Sequence, residues 1–324
     1  MAHTIEQERQ LRALIGSPAA ILEKRIQPRL DSYCLELIAQ AKLMVIASAG
    51  ACPELQPIAL ASAHFSVSAS ELRFHLPVTA TSVSERQNGS AYFMVPGVGH
   101  ALRVNGLLQH DGNGYFSLQV QSAYMHCSRA AVRSALWQSP GRPDTNNERC
   151  LTRALKKARF ALLKTCDADG VTSISPRGDD QQVMHRLEDG RLFLPERPGN
   201  KVALSLRNLL HNPELELLLY ITGSDELLHI RGTAQLSNNP QWLTRCAVND
   251  KLPRLGIVIS VQQQQWQPAQ AFTQAIRHAE RYGTPSVTPF AKALSAHMQG
   301  EGLLGKATHL VVDRVVKHDL KNLY

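Results

Sequence analysis

Arg197, Gly199, Asn200 and Lys201 form the densest group of residues able to do chemistry in this 324-residue chain. They stand in RLFLPERPGNKVALSLRNLLHNP, where a short strand ending at Pro195 leads through a turn into a helix with Val202, Leu206, Leu209 and Leu210 on one side. Asn200 is expected to cap that helix and His211-Asn212-Pro213 to end it. Two cations, a glycine that lets backbone approach closely and the free N–H groups of a helix start together make a seat for phosphate. The preceding strand carries Ser175-Pro176-Arg177-Gly178-Asp179. From there the Arg177 fork can reach the same turn and hold phosphate bidentately. The plain alternative is a surface ion pair from Arg177 to Asp179 or Asp180. Arg207 lies near the turn or faces solvent.

A second group stands earlier, in YMHCSRAAVRSALW. Arg129 and Arg133 are four apart and share a helix face. Trp137 can stack beside a flat ring, and Cys127 opens the same segment. Taken singly, Trp137 reads as core packing and Cys127 as a small buried residue.

The two groups fall in different copies of one repeated module. KLMVIASAG from Lys42 matches RFALLKTCDADG from Arg159, ELRFHLP matches GRLFLPE, and VPGVGHALRVNGLLQ matches ITGSDELLHIRGTAQL. A repeat this long is a duplicated domain, and ligand sites favour the junction of two modules. The first copy lacks the seat. Its stretch from Pro77 to Asn88 is six residues shorter than Pro195 to Asn212, and ASAHFS, taken as the counterpart of SPRGD, holds no arginine. Thr79, Thr81, Ser82 and Arg86 remain there as weak polar substitutes. The second copy in turn ends in VQQQQWQPAQAFTQA, with Trp266 but neither cysteine nor arginine.

Around these groups the chain reads as a helical segment over residues 1–41, a first domain over 42–140, a Pro/Gly/Asn-rich linker near QSPGRPDTNNER, a second domain over 150–275 and a helical or strand extension over 276–324. Many short strands with one short helix inserted in each copy, at Thr79 to Gln87 in the first, predict a mainly β protein (α+β) of two tandem split barrels forming an intramolecular pseudo-dimer. The dinucleotide-binding glycine fingerprint is missing. The formal charge of +8 and a pI near 9.3 favour an anionic ligand. No basic run interleaved with aromatics supports nucleic acid. The six cysteines form no CxxC pair and no zinc-spaced cluster with histidine, so reduced thiols and no metal are expected. No apolar run is long enough for a bilayer and the N-terminus has no signal-like apolar stretch, so a cytoplasmic protein without a membrane partner is expected.

Together the motifs resemble the pyridoxamine 5′-phosphate oxidase-like, FMN-binding split-barrel superfamily. The closest subgroup carries LIGxP (here Leu14 to Pro18), SPRGD (Ser175 to Asp179), RPGN (Arg197 to Asn200), LRN (Leu206 to Asn208), VNG (Val104 to Gly106) and HCxxxxxRSxLW (His126 to Trp137). The resemblance implies an FMN-dependent oxidoreductase acting on a small molecule, with one flavin in the groove between the barrels and its twin groove empty or repurposed. Arg177, Arg197, Gly199, Asn200 and Lys201 would contact the FMN phosphate; Cys127, Arg129, Arg133 and Trp137 would come from the opposite barrel. His126 and His64 are candidate proton donors. A non-catalytic flavin or haem carrier, with His318 or His126 as ligand, and a deazaflavin in place of FMN are the alternatives. Further self-association of the pseudo-dimer is open.

Overall fold

The computed structural model describes residues 3–50, 53–61, 64–76, 86–127, 129–138, 149–300 and 302–324. Of the short helix expected at Thr79 to Gln87, residues 79–85, with Thr79, Thr81 and Ser82, lie outside them, as does most of the linker, and Gln87 belongs to a strand instead.

The N-terminal segment contributes β1 (Thr4–Ile5), α1 (Glu8–Ile15), a 3-10 turn over Ala20–Arg25 and α2 (Ser32–Gln40). The first sheet comprises β2 (Leu43–Ser48), β3 (Gln56–Ala59), β4 (Phe65–Val67), β5 (Glu71–His75), β6 (Gln87–Met94), β7 (His100–His110) and β8 (Tyr115–Cys127). Two helices follow, α3 (Arg129–Arg133) and α4 (Leu151–Lys157). The second sheet comprises β9 (Ala158–Cys166), β10 (Thr172–Gly178), β11 (His185–Arg186), β12 (Leu192–Pro195), β13 (Glu214–Ile221), β14 (Glu226–Ser237) and β15 (Gly256–Pro268). Helix α5 (Leu204–His211) sits between β12 and β13, and α6 (Pro240–Arg245) between β14 and β15. The chain continues through α7 (Gln270–Tyr282), α8 (Phe290–Gln299) and α9 (Leu303–Lys321), so the extension is helical, without the expected strand, among the described residues.

Both sheets are antiparallel and have the same order. The first runs β3-β2-β6-β7-β8-β5-β4 and the second β10-β9-β13-β14-β15-β12-β11, with β1 added to β14. These are two curled half-barrels. Both have a bulge at the same place, between Asn105 and Gly106 and between Arg231 and Gly232. A Cβ on either glycine would overlap the facing backbone at Gln119 or Ser260, which explains the glycine at the same position of both copies. The shared bulge makes Arg103 and His229 counterparts, and the strand register carried across each sheet makes Pro57 the counterpart of Pro176 and Ile58 that of Arg177. The counterpart of SPRG is therefore Gln56–Ala59, not ASAHFS; like that segment, it has no arginine.

The unbroken apolar runs LMVIA and FALL follow from burial on both faces. Met44 and Ile46 point into the first barrel's core, while Leu43, Val45 and Ala47 point into a shared layer. Ala161 and Leu163 fill the second barrel, while Phe160 and Leu162 join that same layer. Phe272, Ala275 and Ile276 of α7 complete it. The larger of these side chains each contribute roughly 1.5–3 kcal/mol on full burial, enough in sum to hold the halves together. The N-terminal segment straddles them: Ile5 and Leu11 enter the second core, Leu37 and Ile38 the first.

Candidate functional site

Between the barrels lies a cavity of about 150 Å³ walled by both copies. Arg103, Tyr124, His126, Cys127, Arg129 and Arg133 line it from the first copy; Ser175 to Asp179 and much of Pro195 to Ser205 line it from the second. Arg25 also reaches it, so six arginines face two carboxylates, Asp179 and Glu196.

Neighbours set each arginine. Arg177 donates through Nη2 to Ser205 Oγ at 2.6 Å and pairs with Glu196 at 3.2 Å, not with Asp179 or Asp180. Arg197 Nε donates to Asp179 Oδ2 at 2.6 Å in a buried pair. Burial raises the Asp179 pKa, against the pull of Arg197. Arg103, 1% exposed, donates to Tyr124 Oη at 2.6 Å and, across the junction, to Ser175 Oγ at 3.1 Å. Burial, then Arg129, lowers the Arg133 pKa to about 10. The segment after α9 braces three of the arginines. The Asn322 carbonyl accepts from Arg129 Nη2 at 2.6 Å, and the Tyr324 ring lies 5.8 Å from Arg133 and 5.3 Å from Arg197. Tyr324 Oη also donates to Asp179 Oδ1 at 3.0 Å.

Of the nine residues expected at the site, seven meet here: Arg177, Arg197, Gly199, Asn200, Cys127, Arg129 and Arg133. Lys201 does not. Its ammonium approaches Gly16 and it lines an outer cavity of about 500 Å³ on the other side of the loop, while its carbonyl accepts from Arg12 at 2.6 Å. Trp137 does not either. It packs in the shared apolar layer beside Tyr92, Phe160 and Pro176, and its indole N–H finds no hydrogen-bond partner. Asn200 is no N-cap, because Lys201 and Ala203 take left-handed backbone (φ 62 and 54) and delay α5 to Leu204. Asn200 Oδ1 instead accepts from Val202 N at 3.1 Å within the loop. Arg207 turns outward to Glu8, and Arg86 lies exposed near Gln109. His126 lines the cavity, and burial, then Arg103, holds its pKa well below the ordinary value. The Cys127 carbonyl can only accept, so the contact at 3.1 Å puts the His126 proton on Nδ1. His64 sits against His75 and His318 on the exposed face of α9, both outside the cavity lining. Arg25, Arg103, Tyr124, Ser205 and the 322–324 segment were not anticipated.

The described part of the twin groove is lined differently. His229, in the place of Arg103, contacts Glu216 at 3.1 Å; Glu216 pairs with Lys164 at 2.6 Å and accepts from Leu55 N of the first copy at 2.9 Å. Glu54 holds Arg231 at 2.7 Å. This charge network ties the halves together, and a cavity of about 300 Å³ lies beside it, lined by Ala49 and Gly50 of the first copy and by Lys164, Glu216 and Arg231 of the second.

An anion with a phosphate end fits the first groove. Nε atoms of Arg103, Arg133 and Arg177 are buried without hydrogen-bond partners, and a Cβ on Gly199 would meet nothing within 4 Å, so ligand atoms have room against that backbone.

Residues 150–281 match the family profile described as pyridoxamine 5′-phosphate oxidase. The domain over residues 150–281 is of the pyridoxamine 5′-phosphate oxidase-like family. The first half repeats that barrel's strand order. Among solved structures, HupZ of Group A Streptococcus is 16% identical over 37% of this chain and 95% of its own, with a TM-score of 0.30. General Stress Protein 26 of Bacillus anthracis str. Sterne is 14% identical over 36% and 89%, with a TM-score of 0.29. A protein of Clostridium acetobutylicum, related to general stress protein 26 of B. subtilis and titled as of the pyridoxinephosphate oxidase family, is 10% identical over 37% and 93%, with a TM-score of 0.25. These likenesses are too remote to transfer an activity. No curated protein matches the chain. Among the described residues no helix is long and apolar enough to cross a membrane.

Proposed function

We propose that this chain is an FMN-dependent oxidoreductase with one flavin site, in the arginine-rich groove between its barrels. The observation that carries the reading is the convergence of the RPGN loop and Arg177 from one copy with Arg129 and Arg133 from the other on a single cavity. Arg177 and Arg197 hold the phosphate, with Gly199 leaving room at the loop. Arg129 and Arg133 answer the charge from the facing wall. When bound, FMN supplies two-electron redox chemistry to a small-molecule substrate. His126, kept neutral by its surroundings, offers a proton-exchanging ring at the cavity wall.

The cavity of about 150 Å³ is smaller than the roughly 300–1,000 Å³ of ordinary ligand pockets. Only the loop around Glu196 to Asn200 separates it from the outer cavity of about 500 Å³. Admission of a whole flavin therefore requires that loop to shift, and hydrogen exchange of residues 196–203 should slow when FMN binds. The absorption spectrum of the purified protein is the direct test. A preparation that is colourless and takes up no added FMN overturns the proposal.

A further inference from the structure

Asp31, Cys34 and His297 meet outside the crevice lining, where the extension docks on the first barrel. One ligand-type atom from each lies within 4.8 Å of the other two. Local structure places the first pair. Asp31 caps α2, its Oδ1 accepting from Cys34 N at 2.9 Å, which sets the carboxylate beside the thiol one turn on. Packing brings the third. Glu36 of α2 accepts from Thr288 N at 3.0 Å and Oγ1 at 2.6 Å, and Gln27 donates to the His297 carbonyl at 3.2 Å, so α8 lies with His297 over the helix start.

An ion pair accounts for only one side of the imidazole. The His297 side chain is 1% exposed, and Nε2 stands 2.8 Å from Asp31 Oδ2. Yet neither ring nitrogen makes a hydrogen bond of acceptable angle. The buried Nδ1, with no hydrogen-bond partner among the described residues, costs roughly 1–3 kcal/mol if left unsatisfied. Ligands about 2.0–2.1 Å from a tetrahedral ion sit about 3.3 Å apart, so His297 and Asp31 would need to part by only about half an ångström to share a cation. Cys34 is fully buried, whereas the Asp31 side chain is 35% exposed. Thiolate, carboxylate and neutral imidazole together carry the charge that balances a divalent cation. A mixed S, O, N set favours zinc over magnesium or calcium, which prefer all-oxygen sites.

We propose that Asp31, Cys34 and His297 bind a zinc-class divalent cation whose fourth position faces solvent. The ion would clamp α8 to α2. Through α9 the same extension carries Asn322 and Tyr324 to the crevice arginines, so the clamp steadies a wall of the groove from a distance. The site stands on its own ligands and does not depend on the flavin reading.

Cobalt titration of the full chain, after removal of metal by a chelator, tests it without any activity assay. The expected result is one equivalent of Co²⁺ per chain, a thiolate-to-cobalt charge-transfer band in the near ultraviolet, and displacement by Zn²⁺. Cys34→Ser should abolish the band. Asp31→Asn keeps a good N-cap, so it should fold as the native chain does by circular dichroism, and it should bind cobalt at least tenfold more weakly. No uptake by the native chain at micromolar Co²⁺ or Zn²⁺, an unchanged band in Cys34→Ser, or native affinity in Asp31→Asn would each overturn the assignment.

Discussion

Replacing Arg177 by alanine probes the anion seat most directly. The side chain is 13% exposed, is held by Ser205, Glu196 and the Pro176 carbonyl, and keeps Nε unpaired. A charge-assisted hydrogen bond in such surroundings contributes roughly 1.5–3 kcal/mol. Loss of one bond of that strength to phosphate weakens FMN binding about 10- to 150-fold. The upper part of that range applies here, because Arg177→Ala also leaves Glu196 beside the incoming anion without the cation 3.2 Å away. Riboflavin isolates the contact, since it has the ring and ribityl chain but no phosphate. Its affinity should stay within about twofold of native. Flavin-fluorescence titrations of both proteins with both ligands give the four constants. If the native ratio of FMN to riboflavin affinity survives in Arg177→Ala, Arg177 does not hold phosphate and the reasoning is refuted.

Lys201→Ala should leave FMN affinity within about twofold in the same titration, because its ammonium lies on the outer side of the loop. Gly178→Ala should drive β10 and α3 apart: a Cβ there would overlap the Ala130 backbone, and overpacking of this kind costs roughly 1–3 kcal/mol. A melting temperature lowered by several degrees, together with weakened FMN binding, checks it. Acid should loosen the junction through Glu216. Burial pushes its carboxyl up, but hydrogen bonds from His229, Lys164 and Leu55 N outweigh burial and bring the pKa down from 4.5 to about 2. A carboxyl lowered on folding stabilises the native state above its ordinary pKa and loses that contribution as pH falls from about 4.5 to about 2, here about 3 kcal/mol. Urea midpoints measured across that range should fall steeply in the native chain and flatten in Glu216→Gln.

The duplicated barrel and the two halves of the crevice were legible because they rest on order along the chain. ALRVNG and HIRG repeat a bulge whose glycine both copies need, and SPRG on β10 and RPGN after β12 come from distant strands of one curled sheet to line one cavity. What escaped depends on rotation about the backbone or on distant pairing. The left-handed turns at Lys201 and Ala203 swing the lysine away and start the helix late, and no residue type there announces them. Trp137 follows Ala135, itself left-handed at φ 50, which breaks the helical spacing that would have carried it beside Arg129 and Arg133. Arg103 hides in a strand that otherwise reads as core, and its partner Ser175 is in the other copy. Asp31 and Cys34 are close in sequence, but His297 joins them only through the docking of α8. Spacing rules for metal ligands are blind to such a meeting.

The apolar layer shared by the barrels has a bearing on handling the protein. A crevice made from two separate subunits falls apart on dilution, and whatever it holds is released. Here both walls belong to one polypeptide, so the local concentration of either about the other is set by the chain and not by the sample. Dilution should thus leave the groove assembled, so that loss of a guest is governed by its own dissociation constant alone.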